Sequence, residues 1–254
     1  MKRPTKMKIA QDIKFFGLTD TGLVRKKNED AWYAHPDIGL FIVSDGMGGE
    51  FAGDIASKIV VETLPGMIKE LLGKGADPAS AEFRKRIGSA INLLSNSIRK
   101  KTINEPGLSG MGATVALVVV RSGYAVLAHM GDSRIYLLRE EKLTRLTNDH
   151  SIVQLLLDSN EISPEEAETH PAKGQITRFV GMDGNPLPET KKVDISHGDL
   201  LLLCSDGLTQ MLPDSGIQEI LLKKTNPEEA CTELVARANE KGGKDNITVV
   251  LIKV

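Results

Sequence analysis

Two apolar segments of this chain end in the same three residues, Ser-Asp-Gly, and this repetition limits its possible folds more than any other feature. The first follows residues 40–43 and places Asp45 at its end, and the second follows residues 200–204 and places Asp206 there. Strands this apolar are typical of sheets buried on both faces, so each aspartate is held at a rigid strand end beside a flexible glycine. This arrangement is typical of a metal ligand.

Two further aspartates occupy similar places. Asp132 lies between two strand-like segments, and Asp245 precedes the final apolar strand. Each motif alone is weak evidence, because Asp-Gly after a strand usually marks a turn. Together, however, clustered carboxylates cannot all stay ionised without a cation. Oxygen ligands favour hard ions such as Mg²⁺ or Mn²⁺, whereas Zn²⁺ normally recruits His or Cys. The sequence therefore predicts an acidic metal centre assembled from distant parts of the chain.

The order of the predicted elements favours an α+β fold. Short strands lie within residues 13–43, helices are predicted over residues 54–72 and 78–101, and a run of strands begins at residue 113. Two more helices and a strand over residues 247–253 close the chain. Because strands and helices do not alternate, this order predicts a largely antiparallel sheet, or two packed sheets, with helices outside.

Finer expectations concern strand pairing and element boundaries. The strand at residues 13–19 is predicted to pair with residues 31–34, and the strand at residues 191–195 with residues 199–204. The four strands within residues 113–146 are predicted to form one antiparallel meander. The predicted boundaries include an interruption of the first helix at Pro65, a short helix over residues 148–158 capped by Asn148 or Asp149, and an extended segment over residues 176–180.

Composition indicates one domain. The chain has 254 residues, of which 41% are hydrophobic, and this suffices for a single large core. We expect residues 1–12 to form an N-terminal tail and residues 13–254 to form a single domain. The polar stretch over residues 159–175 is predicted to be a mobile flap.

Charge and targeting signals bear on location and partners. The chain has 32 basic and 34 acidic residues, which gives a net charge of −2. Neither nucleic acid nor an anionic membrane is therefore an expected partner. Two cysteines suit a reducing compartment. The basic N-terminus lacks the apolar core of a signal peptide, and no apolar run approaches the ~20 residues that span a bilayer. A cytoplasmic protein is expected, although part of a longer membrane-anchored protein would give the same pattern.

Seven short motifs carry a more specific signal. They are Arg25-x-x-Asn28-Glu29-Asp30, Ser44-Asp45-Gly46-Met47-Gly48-Gly49, Gly110-Met111-Gly112-Ala113-Thr114, Gly131-Asp132-Ser133-Arg134, Leu146-Thr147-Asn148-Asp149-His150-Ser151, Ser205-Asp206-Gly207-Leu208 and Lys244-Asp245-Asn246-Ile247-Thr248. Their identity and order resemble the motif set of the metal-dependent Ser/Thr protein phosphatases, the PPM or type 2C family, in its compact bacterial form. The resemblance extends from about residue 13 to the C-terminus.

This resemblance implies a β-sandwich of two antiparallel sheets flanked by helices, in four αββα layers, with two Mg²⁺ or Mn²⁺ ions in a cleft at one end. The resemblance implies that Asp45 bridges both ions, that the Gly46 carbonyl binds one of them, and that Asp206 and Asp245 hold the other. It also implies that Asp132 binds a weaker third ion. Glu29 and Asp30 would act through water, and Arg25 would anchor the phosphate.

The implied reaction is hydrolysis of phosphoserine and phosphothreonine esters. A water or hydroxide that bridges the two metals would attack phosphorus in line, without a phosphoenzyme intermediate. The implied partners are phosphorylated proteins, including a Ser/Thr kinase and its substrates, and the expected state is a monomer.

Two departures and two alternatives accompany this interpretation. Met47 stands where many members have a histidine proposed to protonate the leaving group, and Glu50 stands where bacterial relatives often have one. A water is then the default proton donor. The five histidines share no ligand spacing, so a structural role is predicted for each. The alternatives are a binding module without turnover, which loss of Asp45, Asp206 or Asp245 would mark, and another metallohydrolase such as a nuclease, which would carry a basic stripe.

Overall fold

The structure is a computed structural model that describes residues 13–48, 52–73 and 77–254. The predicted tail, residues 1–12, and the departure at Glu50 lie outside the described residues. The strands are β1 (Lys14–Asp20), β2 (Asp30–His35), β3 (Leu40–Met47), β4 (Gly112–Ala113), β5 (Val115–Arg121), β6 (Tyr124–Met130), β7 (Arg134–Arg139), β8 (Lys142–Arg145), β9 (Glu189–Asp194), β10 (Leu200–Cys204) and β11 (Ile247–Lys253). The helices are α1 (Gly53–Gly73), α2 (Ala81–Asn104), α3 (Ile152–Asp158), α4 (Pro164–Thr169), α5 (Asp206–Thr209), α6 (Asp214–Lys223) and α7 (Pro227–Glu240), with short 3₁₀ helices at Pro36–Ile38 and Pro106–Leu108.

The strands form two antiparallel sheets. One has the order β2-β3-β5-β6-β9, with β4 paired to β3, and the other has the order β1-β11-β10-β7-β8. Helices α1 and α2 cover the first sheet, and α6 and α7 cover the second. The predicted α+β class, with two packed antiparallel sheets and helices outside, is confirmed.

Three apolar layers explain why the central strands are apolar at every position. Successive side chains of a strand face opposite sides of its sheet. In β3, Leu40 packs under the helices whereas Phe41 packs between the sheets, and in β10, Leu202 and Leu203 divide in the same way. Each buried Leu or Phe side chain contributes roughly 1.5–3 kcal/mol to stability. The aspartates that end β3 and β10 therefore stand on rigid supports.

The predicted pairings were wrong wherever the chain crosses between sheets. Strands β1 and β2 lie in different sheets, as do β6 and β7, and β9 and β10. Instead, β1 pairs with β11, and β9 pairs with β6. A short polar connection with glycine suits either a hairpin or a crossover, so local sequence does not distinguish them. The crossovers have functional consequences, because two of them carry Arg25 and Asp132.

Several predicted boundaries were also wrong. Helix α1 continues through Pro65, which is buried, because packing of its apolar face against the sheet offsets the missing backbone hydrogen bond. Helix α3 begins after Ser151, whose side chain accepts the Gln154 N–H, and not at Asn148 or Asp149. Residues 176–180 form isolated bridges at Ile176 and Val180 and no strand.

Helix α4 lies inside the predicted flap and carries a capping box between Ser163 and Glu166.

Within the part of the chain that the structure describes, no helix combines the length and the apolar character needed to cross a membrane.

Candidate metal centre

Four parts of the fold bring aspartates to one end of the sandwich. Asp30 and Asp45 are direct cross-strand neighbours on β2 and β3. Asp206 follows β10, and Asp245 precedes β11, which is the strand next to β10. Asp132 lies in the crossover from β6 to β7. These aspartates, Asp30 excepted, line a cavity of about 230 Å³ together with Arg25, Glu29, Gly46, Met47, Gly48, Thr114, Gly174, Ile176 and Asn246.

The carboxyl groups of this cavity repel one another. Burial raises the pKa of Asp45 well above its ordinary value, and Asp30, Asp206, Asp132 and Asp245 add to the shift. Burial is also the main cause of the raised pKa of Asp206, with Asp245 next, although the Asp45 and Asp206 carboxyls lie close enough to share a hydrogen bond. The pKa of Asp132 is likewise raised well above its ordinary value, first by burial and then by Asp206. Without a cation, these groups favour their protonated forms.

Asp30 joins the two sheets beneath the cavity. Its Oδ2 accepts a 2.7 Å hydrogen bond from the Ser205 hydroxyl, and that hydroxyl oxygen accepts the Thr248 N–H at 2.9 Å. Its Oδ1 is buried without a partner. Burial raises the pKa of Asp30 to about 7. A buried carboxylate oxygen without a donor is costly, and a cation or an ordered water is its usual complement.

These observations fit a site for hard divalent cations. The donor set is made of carboxylate and backbone oxygens, which Mg²⁺ and Mn²⁺ prefer. A bound cation would offset the repulsion among the carboxylates and would give the unpaired Oδ1 of Asp30 a partner. Of the residues predicted as direct ligands, the structure places all five, Asp45, Gly46, Asp132, Asp206 and Asp245, around the one cavity.

Asn246 makes three hydrogen bonds to the loop that carries Arg25 and Glu29. Asn246 accepts the Glu29 N–H at 2.8 Å and donates to the carbonyls of Thr21 and Lys27 at 2.9 and 2.8 Å. Arg25 then reaches the rim of the cavity, where its Nη2 donates to Asp245 Oδ2 at 2.7 Å. Its side chain is 52% exposed, so a ligand can approach it from solvent. Glu29 has a raised pKa, chiefly because of burial.

Thr114 fixes the backbone of Asp45. Its hydroxyl accepts the Asp45 N–H at 2.9 Å, and its own N–H donates to the Asp45 carbonyl at 2.8 Å. Sequence reasoning did not single out Thr114, Asn246 or Ser205 as functional. Each of them lies inside a motif that was recognised, so proximity to a predicted ligand was the available signal.

A second and larger cavity adjoins the first. Its volume is about 510 Å³, and Asp132, Gly174 and Asp206 line both cavities. Its remaining wall comes from α3 and the residues before it, from the predicted flap, from α5 and the segment after it, and from Arg134 and Arg145. The acidic cavity and the larger one therefore meet at Asp132, Gly174 and Asp206.

The raised pKa of Asp30 predicts how pH and metal affect stability. The folded state binds this proton more tightly than the unfolded state, so its contribution is present below the ordinary pKa of 3.8 and is lost as pH rises to about 7. Divalent cations bind the deprotonated form. We expect Mn²⁺ to raise the melting temperature of the chelator-treated protein more at about pH 7.5 than at about pH 5.5. An equal shift at both pH values would contradict this prediction.

Several known proteins resemble this chain in sequence and in fold. The family model described as Protein phosphatase 2C matches residues 24–249. A curated serine/threonine phosphatase stp of Listeria monocytogenes is 38% identical over 238 residues, which are 92% of this chain and 93% of that protein. The crystal structure of serine/threonine phosphatase Stp1 from Staphylococcus aureus has a TM-score of 0.87 at 30% identity and covers 99% of each chain. The catalytic domain of the phosphatase PstP, in complex with two manganese ions, has a TM-score of 0.82 at 34% identity over 95% of this chain and 97% of that one.

Proposed function

Because this chain belongs to the protein phosphatase 2C family, we propose that it is a Mg²⁺- or Mn²⁺-dependent phosphatase that hydrolyses phosphoserine and phosphothreonine esters of proteins. The observation that carries this proposal is the meeting of Asp45, Asp206 and Asp245 in one small acidic cavity. Residues 13–254 form the proposed catalytic domain, and residues 159–175 form its proposed flap.

The proposed ligand roles follow from position. Asp45 would bridge two ions, since more neighbouring carboxylates raise its pKa than raise that of any other aspartate in the site. The Gly46 carbonyl would bind one ion, and Asp206 and Asp245 would hold the other. Asp132 would bind a weaker third ion. Glu29 and Asp30 would act through water.

The reaction needs charge and positioning more than a protein nucleophile. When bound, a pair of divalent ions lowers the pKa of a shared water and neutralises charge on the phosphate. Arg25 is proposed to anchor the phosphate, because its guanidinium fork matches two phosphate oxygens. An exposed ion pair such as Arg25 with Asp245 contributes little energy, so phosphate can take over this donor at small cost.

Proton delivery to the leaving alkoxide is proposed to come from water. Met47 lines the cavity at the position where many relatives have a histidine, and none of the described residues that line this cavity is a histidine. Water can reach the cavity from its rim, where the Arg25 side chain is 52% exposed. Asp45, Asp206 and Asp132 are assigned to metal and are not available as acids.

Other parts of the proposal concern partners and location. The substrates would be phosphorylated proteins, among them a Ser/Thr kinase and its targets. We propose a monomer, because one chain supplies every proposed ligand. Both cysteines are free and buried, which supports a reducing compartment such as the cytoplasm.

A metal-dependence assay tests the proposal. Peptides of one sequence that carry phosphothreonine or phosphotyrosine would be incubated with the chelated protein, with Mn²⁺, and with Mg²⁺. We expect hydrolysis of the phosphothreonine peptide only with metal and little hydrolysis of the phosphotyrosine peptide. Full activity after exhaustive chelation would reject the metal mechanism. Peptide binding without phosphate release would favour a binding module, and cleavage of DNA with metal would favour a nuclease.

A further inference from the structure

Two buried histidines lie beside the acidic cavity, and the proposed reaction does not use them. His129 and His150 stack with ring centroids 4.6 Å apart and planes inclined by 18°. His129 lies opposite Glu189 across strands β6 and β9, and His150 Nε2 is 3.2 Å from Glu189 Oε1. Nitrogen and oxygen atoms of the three residues lie within 4.8 Å of one another, which is a spacing that a metal ion could use.

The hydrogen bonds argue against a metal ion there. The Gly131 N–H donates to His150 Nδ1 at 3.1 Å. An amide N–H can only donate, so Nδ1 carries the lone pair and Nε2 carries the proton, which points to Glu189. Burial lowers the pKa of His150 to about 4, so the ring is neutral. Arg178 Nη1 lies 3.4 Å from His150 Nε2 and 3.7 Å from Glu189 Oε1. Because a guanidinium can only donate and Nε2 already carries the proton, Arg178 pairs with Glu189 and supplies the positive charge of the cluster.

The bond from Gly131 matters because of the residue that follows it, Asp132. His150 and Gly131 are joined twice, since the His150 N–H also donates to the Gly131 carbonyl at 2.9 Å. Gly131 has a φ of +111° and packs on Thr114, where an added Cβ would lie 2.6 Å from Cγ2. On the other side, the Ser133 hydroxyl shares a 2.6 Å hydrogen bond with the Thr114 hydroxyl. Asp132 is therefore held through both of its neighbours.

His150 also joins this loop to the base of the predicted flap. Its carbonyl accepts the Thr177 N–H at 2.7 Å, and the next residue, Ser151, forms a bridge with Ile176. Ile176 and Gly174 line the acidic cavity. His150 thus connects β9 and the loop of the proposed third-ion ligand through its imidazole, and the flap base through its backbone carbonyl.

We propose that His150 is a positioning residue that places Asp132 for the third ion by accepting the Gly131 N–H through Nδ1, while Glu189 holds the ring in that orientation. The inference rests on the proposed function, in which Asp132 binds an ion. His150 acts on the backbone of the residue before the ligand, and removal of a partner that orients a metal ligand typically weakens metal affinity about 10–100-fold.

Two substitutions separate the two ring nitrogens. In His150→Asn, the amide oxygen takes the place of Nδ1 and keeps the acceptor for Gly131. In His150→Gln, the amide nitrogen takes the place of Nε2 and keeps the donor to Glu189, but the acceptor is lost. We expect His150→Gln to weaken the third Mn²⁺ at least about tenfold in calorimetry without substrate, with two tight ions retained, and His150→Asn to stay close to wild type.

Kinetics supply a second readout. His150→Gln should lower kcat and leave KM unchanged, because Arg25 and the phosphate site are untouched. Combined with Asp132→Ala, it should add no further loss. Weaker binding by His150→Asn than by His150→Gln, or an added loss in the double variant, would overturn the proposal.

A measurement on the unaltered protein covers the case in which a variant does not fold. NMR detects scalar coupling across an N–H···N hydrogen bond, and we expect it between the Gly131 amide and His150 Nδ1. Absence of this coupling would overturn the proposal with no variant needed. Failure of the phosphatase proposal itself has a different signature, namely no metal-dependent turnover by the wild type.

Discussion

Replacement of Asp206 by asparagine should lower phosphopeptide turnover by about a thousandfold or more. The metal ions are expected to supply several kcal/mol of charge stabilisation, and each 1.4 kcal/mol corresponds to about a tenfold change in rate. Asparagine has the shape of aspartate, so the fold should persist. The chelated variant should even be more stable than wild type at neutral pH, because a carboxylate repelled by Asp245 is gone.

An exposed aspartate gives a matched control. Asp194 lies on β9, its side chain is 83% exposed, and it pairs only at the surface with Lys192. Asp194→Asn should leave turnover and Mn²⁺ binding unchanged. Turnover and Mn²⁺ affinity would be measured for both variants. If Asp206→Asn retained full activity with Mn²⁺, the metal assignment would be rejected.

Gly207→Ala should disrupt the metal centre through packing alone. A Cβ at Gly207 would collide with the carbonyl oxygen of Asn246. Gly207 follows Asp206, and Asn246 follows Asp245, so the added methyl group must push two proposed ligands of one ion apart. Overpacking of this kind costs about 1–3 kcal/mol of unfolding free energy. We also expect a lower Mn²⁺ affinity, and both quantities can be measured by calorimetry and chemical unfolding.

A second glycine shows what the methyl group does where space allows. Gly66 lies in the exposed interior of α1, and apart from its chain neighbours and the backbone of its own helix, no described atom lies within 4 Å of a Cβ placed there. Gly66→Ala should stabilise the protein by about 0.5–1 kcal/mol and leave metal binding unchanged. Wild-type Mn²⁺ affinity in Gly207→Ala would show that the close approach of the two loops is not needed.

Local sequence was sufficient for the ends of β3 and β10. An apolar run followed by Asp-Gly identifies both a buried strand and the residue at its end, so Asp45 and Asp206 were found without any knowledge of pairing. The family resemblance then predicted the fold class, which the structure confirms, and the set of residues around the cavity. The metal roles of those residues stay a proposal.

Sequence reasoning failed where partners come from distant segments. Nothing local shows that β1 pairs with β11, because a loop with Gly22 and Asn28 suits a hairpin and a crossover equally. Ser205 was quoted only as part of the Ser-Asp-Gly motif, yet its hydroxyl donates to Asp30 across the sandwich. His150 was expected to be structural, and only its contact with Gly131 suggests more.

The amino-acid sequence by itself determined the apolar strands, the flexible glycines and the number of carboxylates available at strand ends. These follow from the chemistry of the side chains and from the spacing of apolar residues along the chain. Only the tertiary structure decided which strands share a sheet, and hence that Asp30, Asp45, Asp132, Asp206 and Asp245 meet. The raised pKa values of Asp30, Asp45, Asp132 and Asp206 depend on burial and on neighbouring carboxylates, and neither condition exists until the two sheets pack. The acidic cavity thus depends on the crossovers between the sheets. Every strand offers the same backbone hydrogen-bonding groups, so the sequence does not show which sheet a strand joins after a crossover.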